Sequence, residues 1–526
     1  MQITRRRFCR NSLGVGIALG GVHAGCGFLP AGQASGNRAT YLNPVLGGDH
    51  PDAGAIRVDN DFFLTHSSFE YAPGLPIWHS KDLVNWTLAG AALKQYYGSV
   101  WAPYLCEHDG HFYIYFPCHN QLHVVHAPRP LGPWSEPVSL NVNAIDPAHI
   151  AANGRRYLHF NGGYMLELTS DGLSVKTPGR KVFEPWPIPS NFRVECECLE
   201  APKMFQRGEY FYLTAAEGGT AGPPTSHMVV SARSKNPDGP WEYSPFNPVA
   251  HSSSSANRWM SVGHGRLVEA ADGSWWMTAH GYENGFRGLG RQTLLLPIEW
   301  TKDGWFRLPA GISPEKPIAM MNGGAGQEPP LNLSDEFTSS ELSLHWQFWR
   351  EFDRSRFQTG DGRLVLAARG ASLADSPPLT CITGDHSYTI EVDIDCEPGC
   401  EAGLLLFYNQ EHSCGIRVCP QGIGVRLASG YSPEIGVKTS RAVLRIVNQQ
   451  QEVDFYYRLP GEDWKRTQES AEVASINHNV LGGFLNLRPA LYACGSGHAV
   501  FRSFRHAKGL VSHDEVARTR PEIVSG

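Results

Sequence analysis

The stretch LEAPKMFQRGEYFYL, residues 199–213, opens with a carboxylate and a proline, turns at a glycine and ends in aromatic residues. A strand-like segment, a turn of Gly, Asn or Asp, and a second strand rich in Phe, Tyr and Trp make a β-hairpin signature. Four other stretches share the plan: HPDAGAIRVDNDFFL (50–64), VWAPYLCEHDGHFYIYF (100–116), IDPAHIAANGRRYLHF (145–160) and VGHGRLVEAADGSWWMT (262–278). Their opening residues fall in one register as Asp52, Trp101, Asp146, Glu200 and His264. The matching turn residues Asn60, Gly110, Gly154, Gly208 and Gly273 follow 8 or 9 residues later. Successive openings are 49, 45, 54 and 64 residues apart, room for four strands and their turns. A tryptophan recurs late in three units, in SKDLVNW, APRPLGPW and SARSKNPDGPW. The repeat predicts an all-β protein built on a five-bladed β-propeller. Five unrelated hairpins in a sandwich are the bland alternative.

In a propeller the first strand of each blade lines the central axis. Residues at the same opening position therefore stand at one height around it. Asp52, Trp101, Asp146, Glu200 and His264 are expected to converge there. Glu195 and Glu197, in the acidic run ECECLE, lie upstream of the register and read as loop or hairpin-face carboxylates. Three converging carboxylates suit two kinds of chemistry. Calcium takes six to eight oxygens, usually with local Asp spacing, and no such loop is visible. Glycoside hydrolysis needs one protonated carboxyl and one ionised carboxylate on opposite faces of the bond. A third negative group nearby would raise the acid's pKa.

Six ordered motifs carry a resemblance: NPVLGGDHPDAGAIRV, SSFEYAPGLPIWHSKDLVNW, VWAPYL, IDPAHIAANGRRYL, LEAPKMF and TAAEGGT. Together they resemble glycoside hydrolase family 43, notably its β-xylosidase-like branch, from about Asn43 to Leu308. The resemblance continues in LSDEFTSSELSLHWQFWR, similar to the start of that branch's C-terminal sandwich. It implies a five-bladed propeller that hydrolyses with inversion. Asp52 would be the general base, Asp146 the residue that tunes and orients the acid, and Glu200 the general acid. Trp101 would be a sugar-stacking wall, and Arg291 in LGRQT a donor to sugar hydroxyls. His264 would match a central histidine that in some members helps hold water or calcium. No cofactor is implied beyond a possible structural calcium near His264, and no catalytic metal. Two departures stand out. Ala53-Gly54 replaces a common Pro-Ser, and Ala-Pro-Lys after Glu200 replaces a common Gly-Pro-His. Lys203 would either change the electrostatics near the acid or point outward.

Composition agrees with a folded, turn-rich β protein: 41% hydrophobic, 18% charged, 56 Gly and 37 Pro in 526 residues. A net charge of −6 with no long basic run argues against nucleic acid. The N-terminus reads as an export signal over residues 1–34. Paired arginines in TRRRFCR precede a short apolar run, as in a twin-arginine leader. Its end is ambiguous between a lipoprotein-type box at Ala24-Gly25-Cys26 and a small-residue site at Gly32-Gln33-Ala34. Cys26 is the one route to a membrane. The expected location is periplasmic, extracellular or lipid-anchored at the envelope. There are twelve cysteines, eleven without Cys9 and ten without Cys26. Because a twin-arginine substrate folds before export, reduced and buried cysteines are the preferred reading.

The domain reading is a propeller over 40–310, a Pro/Gly-rich linker over 311–329, a concanavalin A-like β-sandwich (jelly roll) over 330–508 and a charged tail over 509–526. The sandwich rests on strand-like runs such as YTIEVDIDC, GIRVCPQGIGVRL and VDFYYRL. In similar enzymes this domain lends a loop to the active-site mouth and favours action on chain ends. A structural or sugar-binding role is the alternative. The expected function is an exported β-xylosidase or α-L-arabinofuranosidase acting on oligosaccharides or polysaccharides. The rivals are an arabinan- or galactan-active relative and a non-catalytic sugar-binding lipoprotein.

Overall fold

The structure is a computed structural model and describes residues 39–509 apart from 322–323 and 432. The expected export signal, its cysteines Cys9 and Cys26, and nearly all of the charged tail lie outside the described residues. Among the described residues the fold is all-β. Five sheets of meander topology follow one another in the chain, spanning Gly54–Val58 to Trp86–Leu93, Tyr104–His108 to Val138–Asn143, Ala148–Ala152 to Arg180–Lys181, Leu199–Arg207 to Glu242–Tyr243, and Trp259–Glu269 to Phe306–Arg307. They are blades I to V of a propeller. Each blade begins with its innermost strand.

The sequence repeat is a backbone repeat as well. Blades I to IV turn from first to second strand through two residues, and blade V through a longer loop. Asp109-Gly110 and Asn153-Gly154 both take positive φ, as the two-residue hairpin requires. At each blade opening one residue also adopts positive φ: Asp52, Ala102, Asp146, Ala201 and His264. A non-glycine residue is uncommon in this region, and such strain tends to collect where function demands a fixed geometry. Register shifts follow in the first strands of blades IV and V, between Glu200 and Lys203 and on either side of Gly263. Bulges of this kind re-aim side chains.

The ring is closed by the N-terminal segment. Thr40–Tyr41 pairs with Ile318–Ala319. Asn43 brackets Leu295 of blade V, donating from Nδ2 to its carbonyl (3.1 Å) and accepting its N–H (2.8 Å). The stretch read as linker is thus bound to the propeller over part of its length.

The C-terminal half is a sandwich of two seven-stranded sheets. One of them ends on a strand borrowed from blade I: Tyr71–Ala72 pairs with Gln347–Trp349. Phe69 and Tyr71 are buried in the sandwich core, with Trp101 packed against it. Arg350 adds a hydrogen bond and an ion pair to Glu70, and His386 stacks on Phe286 at 3.8 Å. The sandwich is therefore welded to the blade I and blade V side of the propeller. Of the cysteines, Cys196 and Cys198 form a disulfide, contrary to the reduced reading for that pair. They flank one residue in a loop that brings them together. Eight others are free and buried, as expected.

Candidate active site

The blade openings bring Asp52, Asp146, Glu200 and His264 together at one end of the axis. Asp52 is buried among donors. Arg291 Nη1 donates to its Oδ1 (2.9 Å) and Nη2 to its Oδ2 (3.4 Å). Ser67 Oγ donates to Oδ2, and in turn accepts the Ala102 N–H at the opening of blade II (2.7 Å). His264 Nδ1 lies 3.2 Å from Oδ1. The Asp52 backbone N–H donates to His280 Nδ1 (3.1 Å). Burial would raise the Asp52 carboxyl, but the charge of Arg291 outweighs it and holds the group well below the usual carboxylate range.

Glu200 has the opposite environment. It is more open, with a side chain 21% exposed, and its nearest ring nitrogens are His227 Nδ1 at 3.8 Å and His264 Nε2 at 3.9 Å. Both lie beyond hydrogen-bonding distance. Burial raises its carboxyl first, and the negative charges of Asp146 and Asp52 add to this, pushing it to about 8. Asp146 accepts the Ala201 N–H at Oδ2 (3.0 Å), so it pins the bulged peptide next to Glu200. Burial pushes Asp146 up to about 6 against the pull of Lys203.

Lys203 points inward. It is only 2% exposed, and its Nζ stands 5.6 Å from the centroid of the Tyr104 ring. Burial lowers its ammonium to about 8. Of the two readings of the Ala-Pro-Lys departure, the electrostatic one holds.

Trp101 is half-buried, with Nε1 donating to Ser99 Oγ (2.6 Å). Arg291 has a role that the sequence reading did not give it. Its guanidinium is committed to Asp52 and lies over the rings of Phe484 (5.1 Å) and Phe69 (5.8 Å). Glu195 and Glu197 are exposed loop residues, and Glu195 Oε2 accepts the Ala221 N–H (2.8 Å).

Several site residues escaped the sequence reading. Ser67, His227 and His280 lie outside the opening register. Phe484 and His478 come from the sandwich: Phe484 stacks on Phe69 (6.2 Å, 8°), and His478 stacks on Phe484 (3.8 Å). Asn479 donates to the Ala221 carbonyl (2.7 Å), tying the same sandwich segment to the loop beside Glu195. No local signal in the chain marks Phe484, because its partner Phe69 lies 415 positions away.

His227, His264 and His280 bring ring nitrogens within 4.8 Å of one another at the axis. Burial keeps all three imidazoles neutral near pH 7. Calcium takes six to eight oxygens. The donors here are nitrogens, and the adjacent carboxylate is held by Arg291. The rings of His227 and His280 are stacked (5.4 Å, 7°), as are His264 and His280 (4.7 Å, 28°), so they present faces rather than nitrogens to each other. These residues do not make an oxygen cage for calcium.

A family model described as "Glycosyl hydrolases family 43" matches residues 41–306, and one for the "Beta xylosidase C-terminal Concanavalin A-like domain" matches 334–507. The chain is 29% identical over 502 residues to a non-reducing end α-L-arabinofuranosidase of Bacteroides ovatus, covering 88% of this chain and 92% of that one. It is 28% identical to a xylan 1,3-β-xylosidase of a Vibrio species, covering 81% and 90%. Among solved structures it resembles a B. ovatus xyloglucan-locus GH43 protein (TM-score 0.80, 27% identity) and a GH43 protein of Bacillus licheniformis (0.79, 26%). Each comparison covers 89% of this chain and 100% of the other.

Proposed function

This chain belongs to glycosyl hydrolase family 43 and is a glycosyl hydrolase, and from that premise we propose that it releases terminal xylose or arabinose residues from plant-type glycans by single displacement with inversion. The observation that carries the reading is the opposite surroundings of two carboxyls on either side of His264, Asp52 paired with Arg291 and Glu200 not. Asp52 is held ionised by Arg291, and Glu200 is held protonated by burial and by Asp146. Asp52 takes a proton from the water that attacks the anomeric carbon. Glu200 gives its proton to the departing oxygen, so that neither an alkoxide nor a hydroxide forms free in solution. Inverting pairs stand roughly 6.5–9.5 Å apart to admit that water. The intervening imidazole, with one nitrogen near each carboxyl, supports such a gap. Asp146 acts on Glu200 by charge and by holding the next peptide. This acid–base chemistry calls for no cofactor.

The preference for xylose or arabinose rests on the relatives, one an arabinofuranosidase and another a xylosidase. Action on chain ends is supported by the sandwich segment that walls the site with His478 and Phe484. Export, by a twin-arginine leader, rests on the N-terminal residues alone. The test is hydrolysis of 4-nitrophenyl β-D-xyloside and 4-nitrophenyl α-L-arabinofuranoside, with Asp52→Asn as control and the first-formed anomer followed by NMR. Turnover lost in the control and an inverted first product are expected. Release of the retained anomer overturns the mechanism, and no turnover on either substrate overturns the specificity.

A further inference from the structure

The strand that carries Glu200 is entered through a loop closed by the Cys196–Cys198 disulfide. The ladder of blade IV starts at the next residue, where Leu199 pairs with Glu217 and Glu200 with Ala216. A disulfide stabilises a fold by closing a loop in the unfolded chain, and does so less as the loop shortens. This one joins cysteines at a sequence separation of 2, so what it governs is the local path of the chain into Glu200. The bridge is also within reach of solvent. Cys196 and Cys198 are half-buried and Glu195 and Glu197 beside them are exposed, whereas eight other cysteines are free and buried.

The bridged loop is fastened to the loop that ends at His227. The Glu195 N–H donates to the Gly218 carbonyl (2.9 Å) and to Ser226 Oγ (2.7 Å), and the Cys196 N–H donates to the same carbonyl (3.3 Å). Ser226 Oγ donates to that carbonyl as well. Glu195 Oε2 accepts the Ala221 N–H (2.8 Å). A sulfur is part of this joint. A Cβ on Gly219, whose φ is +79°, would meet Cys196 Sγ at 2.9 Å and Glu195 Oε2 at 2.6 Å. Only glycine lets the two loops lie this close. The joint leads into the site on both sides. His227, the residue after Ser226, places Nδ1 3.8 Å from Glu200, and the Ala221 carbonyl accepts from Asn479 of the sandwich. Glu195 also adds a negative charge that favours the proton on Glu200.

We propose that Cys196–Cys198 is a reversible redox switch on the acid side of the active site: its reduction frees residues 195–198 from residues 218–226 and lowers the hydrolysis that depends on Glu200. A dithiol supplies the two electrons and two protons. One of its sulfurs attacks the bridge to form a mixed disulfide, and its second sulfur displaces the protein thiol. The protein gains two thiols, and the dithiol leaves as a cyclic disulfide. Oxidised glutathione reverses the change by exchange and leaves as two glutathione thiols.

The effect on activity rests on the proposed function, while the release of the loop does not. The test compares the full chain before and after treatment with dithiothreitol, with thiols titrated under native conditions once the reductant is removed. A gain of two thiols is expected. The kcat on xylo- or arabino-oligosaccharides should fall roughly tenfold, a fraction of what general acid catalysis contributes. The loss should be smaller on 4-nitrophenyl glycosides, and oxidised glutathione should restore the rate. Trypsin cleavage after Arg193, an exposed residue beside the loop, should quicken on reduction. The double variant Cys196→Ser, Cys198→Ser should match the reduced chain in both measurements and ignore dithiothreitol. No gain of thiols, equal oligosaccharide hydrolysis before and after reduction, or a double variant as active as the oxidised chain overturns the proposal. An oxidised chain without glycosidase activity counts against the proposed function instead. Cleavage after Arg193 then decides the switch alone, and an unchanged rate overturns it.

Discussion

Arg291 holds Asp52 by both carboxylate oxygens, with Nη1 2.9 Å from Oδ1 and Nη2 3.4 Å from Oδ2. The pair joins blade V to the opening of blade I. It also favours the ionised form of the proposed base, because a buried carboxylate facing a guanidinium ionises far more readily than one facing apolar walls. Arg291→Lys replaces a planar fork with a point charge and is not conservative here. Arg291→Met removes the charge altogether. The expected result is a rise in the acidic limb of the kcat/KM profile, by about 1–3 pH units for the Met variant. An unmoved acidic limb would mean that Asp52 is not the group titrating there.

As the proposed acid, Glu200 must be protonated to act, so the basic limb is expected to follow its carboxyl. With its carboxyl pushed to about 8, activity is expected to persist through neutral pH and to fall as pH rises through that value. Asp146→Asn removes one of the two charges that hold the proton on. The basic limb should then move to lower pH, while the amide oxygen that replaces the carboxylate still accepts the Ala201 N–H. A basic limb that moved upward would contradict the like-charge account.

Leaving-group dependence isolates the acid. Glu200→Gln cannot donate a proton, and general acid catalysis contributes typically 10²–10⁴-fold. The loss should be large on xylo- or arabino-oligosaccharides and much smaller on 4-nitrophenyl glycosides, whose leaving group needs little protonation. Parallel kinetics on the two substrate types check this. Equal losses would remove Glu200 from the role.

Phe484→Ala opens the wall that the sandwich contributes. The expected effect is a higher KM on short substrates with a smaller change in kcat, since Phe484 touches Arg291 and Phe69 rather than a reacting atom. Product analysis on a long xylan or arabinan chain should show more internal cleavage than the native protein gives. Unchanged end-release would assign the blockage elsewhere.

Gly263 tests the axis. A Cβ at this position would meet His227 Cδ2 at 1.7 Å, a contact that no small shift relieves. Gly263→Ala should therefore lower stability by about 1–3 kcal/mol, as overpacking does, and reduce activity through the displaced histidine cluster. Gly263→Ala combined with His227→Ala should recover part of the lost stability, a coupling that thermal melts of the three variants measure. Additive losses would show that the clash lies elsewhere.

The hairpin register was readable in the chain because each blade repeats one local problem: a strand lining the axis, a tight turn and a second strand packed between blades. Asp52, Asp146, Glu200 and His264 could be found by that register because a closed ring places equal positions at equal heights. Turn chemistry at Asp109-Gly110 and Asn153-Gly154 is likewise local, set by which residues tolerate positive φ. The strands of the sandwich were legible for the same reason, from alternation over a few residues.

What neighbours those carboxyls, and hence which one keeps its proton, only the tertiary structure decided. Arg291, expected to donate to sugar hydroxyls, also turns out to be the counter-ion of Asp52. Lys203 could have pointed outward and is buried beside the trio. Phe484 and His478 reach the site from the far end of the chain because Tyr71–Ala72 joins a sheet of the sandwich. The physical reason is range. Periodicity and turn preference act over a few residues and are written in order, whereas charge, burial and stacking act through space between residues that the chain keeps hundreds of positions apart.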